Sequence, residues 1–68
     1  MTQNQRVLEH LEKYGSLTAL EAVHNYGIMR LASRISDLKH QGYNITSDRI
    51  KVTNRYGEVT YICSYKLL

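Results

Sequence analysis

The stretch IMRLASRISDLKHQGYNI, Ile28 to Ile45, decides how the chain is read. Leu31, Ile35 and Leu38 stand at the i, i+4, i+7 spacing of one apolar stripe, which predicts a helix over about residues 29–41. About half a turn round lie Met29, Arg30, Ser33, Ser36, Asp37 and His40, with Arg34 on the flank between the two faces. That outer face is polar, small in its middle and basic at its start. Gly42 can take a left-handed conformation after the last turn, Lys39 and His40 put cations near the helix C-terminus, and Tyr43 and Ile45 open an extended run. The stripe faces a core, and the other side is shaped to lie against a groove. An ordinary amphipathic helix with a solvated back has the same pattern, so the flanking sequence must separate the two readings.

Upstream, Thr2 and Gln5 have the spacing of a capping box and open a helix over about 3–14, with Val7, Leu8, Leu11 and Tyr14 as its apolar stripe and Gly15 at its end. Ser16-Leu17-Thr18 is too short for a helix and reads as a stub of strand with Leu17 inward. Thr18 and Glu21 repeat the capping-box spacing and open a short helix over about 19–26, with Ala19, Leu20, Val23 and Tyr26 on one side. Only Tyr26-Gly27-Ile28 separates it from the next helix, a tight glycine turn of the helix-turn-helix kind.

After Gly42 the sequence turns to β-branched and aromatic residues. Ile45, Ile50 and Val52, then Val59, Tyr61, Cys63, Tyr65 and Leu67 in strict alternation, predict a hairpin over about 45–67. Asn54-Arg55-Tyr56-Gly57 suits a type I turn with Arg55 and Tyr56 at the tip. The polar run Thr46 to Arg49 suggests a late start or a bulge in the first strand. Alternation puts Val59, Tyr61 and Cys63 inward, and Ile62 and Leu68 on the opposite face, available to a second copy.

The totals narrow the function. Sixty-eight residues make a single α+β domain, 1–68, near the lower size limit for a chain without disulfides or metal. With six Tyr and no Phe or Trp, the rings are expected at the edge of the core, with no deep apolar pocket. One cysteine allows no internal disulfide, and no apolar leader or span is present, so the expected location is the cytoplasm. Residues 1–27 carry Arg6 and Lys13 against Glu9, Glu12 and Glu21; residues 28–68 carry Arg30, Arg34, Lys39, Arg49, Lys51, Arg55 and Lys66 against Asp37, Asp48 and Glu58. The basic half begins at the decisive helix and suits a polyanion better than a small neutral ligand.

Chemistry of other kinds finds little to work with. His10, His24 and His40 are far apart and Cys63 stands alone, so no common zinc pattern, no nucleophile with a base and no cofactor loop is visible, and the expectation is a non-enzyme with no metal or cofactor. For duplex DNA, a helix in the major groove reads bases with side chains on its outer face. Arg30 and Ser33 are placed for that; Arg34 is placed either to hold a phosphate or to pair with Asp37 three residues on. Arg49, Lys51, Arg55 and Tyr56 on the hairpin are candidates for backbone contact.

The order of elements resembles a winged helix-turn-helix domain. YGIMRLASRISDLKHQGYNI is similar to the small helix-turn-helix proteins of bacteriophages and their hosts, in which a glycine turn, an R-I-x-D-L motif and a G-Y-x-I exit recur, and HLEKYGSLTALEAVHNYG is similar to their first two helices. The resemblance runs to Val52 and loosely through Tyr65-Lys66-Leu67. It implies three helices and a hairpin wing that bind double-stranded DNA, as in transcription regulation, with Arg34 and Asp37 on the R-I-x-D-L motif. From the residues and the resemblance together, the expected contacts are Arg30, Ser33, Arg34, Asp37, Lys51, Arg55 and Tyr56. The expected partner is DNA, bound by a chain that is a monomer or weak dimer free in solution and pairs with a second copy on its site, with no membrane and no small-molecule substrate. The other class consistent with the sequence is a protein-interaction module of the same fold.

Overall fold

In the computed structural model, which describes Met1 to Leu68, the chain forms α1 (Gln3–Tyr14), β1 (Ser16–Thr18), α2 (Ala19–Tyr26), α3 (Leu31–His40), β2 (Ile45–Thr53) and β3 (Val59–Leu67). Both expected capping boxes form. The Thr2 hydroxyl accepts from the Gln5 N–H while the Gln5 side chain accepts from the Thr2 N–H, and Thr18 and Glu21 do the same for α2. Gly27 closes α2 at φ 67°, a left-handed turn that lets Ile28 drop into the core.

The helix expected over 29–41 is shorter. Met29 and Arg30 precede it, Arg30 being its N-cap residue at φ −121° and ψ 61°, and Gln41 is its C-cap. Met29 is 77% exposed and does not cap the core. In α2 the phase also differs. Ala22 is its buried residue and Tyr26 packs against the core, while Ala19, Leu20 and Val23 are exposed. The four-residue step from Ala22 to Tyr26 sets the inner face, and it leaves the expected Ala19, Leu20 and Val23 on the outside.

The sheet has the order β1-β3-β2, all antiparallel. β2 and β3 pair without interruption from Ile45–Leu67 to Thr53–Val59, so the polar Thr46 to Arg49 run neither delays β2 nor bulges it. The turn is closed by Gly57 N–H donating to the Asn54 carbonyl, and the Asn54 side-chain oxygen accepts from the N–H groups of Tyr56 and Glu58. Nine residues, Val7, Leu11, Leu17, Ala22, Ile28, Leu31, Ile35, Leu38 and Ile45, make the core. Tyr65 and Leu67 pack against it at the base of the hairpin. Toward the tip one face of the strands is uncovered: Val59 and Tyr61 are more than half exposed and Cys63 is exposed, against the inward placement that alternation gives them. Ile62, expected outward, is half-buried, and Leu68, just past β3, is 79% exposed.

One further expectation changes. Tyr14 is 63% exposed and lies off the α1 core face, where His10 takes its place at 5% exposure. His10 Nδ1 lies 2.6 Å from the Tyr26 hydroxyl, and the His10 ring packs against Tyr14 with centroids 4.7 Å apart. The spacing Val7, His10, Leu11 held the signal for this, read as a stripe that happens to contain a histidine.

Candidate nucleic-acid interface

α3 buries Leu31, Ile35 and Leu38 and leaves Ala32, Ser36, Lys39 and His40 exposed, with Ser33, Arg34 and Asp37 half-buried. The open side is therefore turned from the one the apolar stripe suggests. Asn4, at the start of α1, lies against the Asp37 side, its amide donating to Asp37 Oδ2 at a long 3.5 Å. Lys39, read from sequence only as a favourable charge at the helix end, belongs to that open side. The signal for it was the α1 packing, which single-helix periodicity does not contain.

Arg34 pairs with Asp37 at 3.2 Å, and the two side chains keep about a third and under half of their exposure. The ion pair with Asp37, one of the two readings open from sequence, is present in the free chain. The Arg34 Nε is buried with no hydrogen-bond partner. Arg30 is exposed and shares a depression of about 220 Å³ with Arg34, Gln3, Gly27 and Met29, so two arginines line the surface where α3 begins. No side chain caps that end. The Arg30 carbonyl accepts from Ser33 and Arg34, and the helix start presents its partial positive charge to solvent.

The hairpin carries the second group. Lys51 lies opposite Tyr61, Arg49 lies opposite Cys63 with its guanidinium 5.8 Å from the Tyr61 ring centre, and Arg55 and Tyr56 stand exposed at the tip. No hydrogen bond or ion pair joins Lys51, Arg55 or Tyr56 to the α3 residues. Between the two groups runs a groove of about 560 Å³, apolar where no such pocket was expected, with Leu20, Met29 and Ala32 on one side and Val52, Ile62 and Cys63 on the other. No group of His, Cys, Asp and Glu is arranged to hold a metal, and no helix is long and apolar enough to cross a membrane.

The family profile described as a winged helix-turn-helix domain matches residues 2–67. The chain belongs to that family. In its terms, α2 and α3 are the helix-turn-helix, the β2–β3 hairpin is the wing, and the winged helix is a DNA-binding fold. No curated protein and no solved structure matches the chain.

Proposed function

We propose that this winged helix binds duplex DNA as a small regulator of the bacteriophage or bacterial kind, acting in the cytoplasm of a bacterial cell. The observation that carries the reading is the uncovered side of α3, where small residues, Ala32 and Ser36, permit close approach and Arg30 and Lys39 stand at its two ends. In this docking α3 enters the major groove, and Arg30 and Ser33 reach base edges from its start. Arg34, held by Asp37, faces a phosphate. Lys51, Arg55 and Tyr56 on the wing contact the backbone and contribute affinity more than sequence information.

Selection of bound sequences from a random duplex library tests the proposal, with retention on duplex measured as salt rises. An enriched motif and a retention that falls steeply with salt are expected. The apolar groove favours a second reading, a protein-interaction module. That reading gains if the library shows no enrichment and the protein leaves the duplex column unretained at low salt.

A further inference from the structure

β1 ends at Thr18, opposite Ser64, so Val59 to Cys63 of β3 have no strand on the side away from β2. The hydrogen-bond phase shows which groups face that empty lane. The Asn54 N–H donates to the Glu58 carbonyl at 2.9 Å at the tip, and the Leu68 N–H to the Asn44 carbonyl at 2.8 Å at the base. In an antiparallel pair, hydrogen-bonded positions recur every second residue. Thr60, Ile62 and Ser64 therefore turn their N–H and C=O toward β2, and Val59, Tyr61 and Cys63 turn theirs into the lane.

The two edges of the hairpin differ in protection. β2 carries Asp48, Arg49 and Lys51, charges of the sort that discourage edge pairing. Val59-Thr60-Tyr61-Ile62-Cys63 is β-branched and aromatic, with no charge and no proline. Val59 and Tyr61 are bare as well, 51% and 57% exposed, while Ile62 is half-buried.

We infer that this edge pairs with the same edge of a second copy, antiparallel about a two-fold axis through Tyr61. Tyr61 is the middle of the open length, so the register sets Val59 against the partner's Cys63 and Tyr61 against the partner's Tyr61, and uses the free residues of both copies and no others. The stretch is self-complementary in the sense a two-fold interface requires, since each copy offers the same uncharged residues and the same free donors and acceptors. The pairing stops at Val59 and Cys63, because the next position, Glu58 opposite the partner's Ser64, falls in the lane that β1 fills with Thr18. The inference stands apart from the DNA reading, because the pairing needs no nucleic acid.

Cross-linking of the full chain without DNA, beside sedimentation at rising concentration, tests it. In this register Val59→Cys places a thiol opposite the partner's Cys63 at a spacing a disulfide spans, so the variant forms a covalent dimer under mild oxidation. The parent chain does not, because its two Cys63 residues lie four positions out of register. Tyr61→Pro removes an N–H that only the partner uses and leaves the β2 ladder its donors, so it abolishes the dimer; Val59→Lys does the same if the proline variant fails to fold. The inference is overturned if Val59→Cys cross-links no faster than Thr53→Cys on β2, or if the parent sediments as a monomer throughout.

Discussion

At the scale of single residues, the outcomes turn on what lies beside each side chain. Cys63 has the alternation of an inward residue but is exposed opposite Arg49, so Cys63→Ser should change stability by less than about 0.5 kcal/mol. His10 is the opposite case. It is buried in the α1 face with the Tyr26 hydroxyl as partner, and Tyr26→Phe leaves the ring nitrogen unsatisfied at a cost of about 1–3 kcal/mol. Thermal unfolding of the two variants checks both, and the same loss in each would mean that burial had been misjudged. Arg34 and Asp37 were legible as a pair from three-residue spacing alone. The rest of their setting was not, because Asn4 reaches Asp37 from a helix thirty-three residues earlier in the chain.

At the scale of elements, local chemistry was the readable part. Each capping box needs only residues three apart, and the hairpin turn only Asn54 to Gly57, so these could be written from sequence with their partners. Which face of an element is covered depends on its neighbours. For that reason the outer side of α3, the phase of α2 and the bare end of the hairpin were misplaced, although α2, β1 and the hairpin were found with their boundaries. The division of labour between α3 and the wing belongs to this scale too. Arg30→Ala should cost roughly 1–3 kcal/mol on a preferred duplex and relax preference at one position. Lys51→Ala and Arg55→Ala should weaken preferred and scrambled duplexes alike, lowering the salt slope by about 0.9 per contact. Binding measured at several salt concentrations decides. If Arg30→Ala weakens both duplexes equally while Arg55→Ala shifts preference, helix and wing have been given each other's roles.

At the scale of the whole molecule, a body 39 Å long and about 20 Å across holds its nine core residues to one side of a long hairpin. The core is small, so stability of only a few kcal/mol is expected, and it is concentrated where Leu17, Tyr65 and Ile45 tie the base of the sheet to the helices. The lane left open where β1 stops has a consequence for how the protein exchanges its amide protons with deuterated water. Thr60 and Ile62 give theirs to β2 and should exchange slowly, while their neighbours Val59 and Tyr61 should exchange almost as fast as an unfolded chain, so protection alternates residue by residue along one strand. A dilute sample and a concentrated one should then differ at those odd positions alone. Tyr61 would report its own partner by the slowing of a single proton.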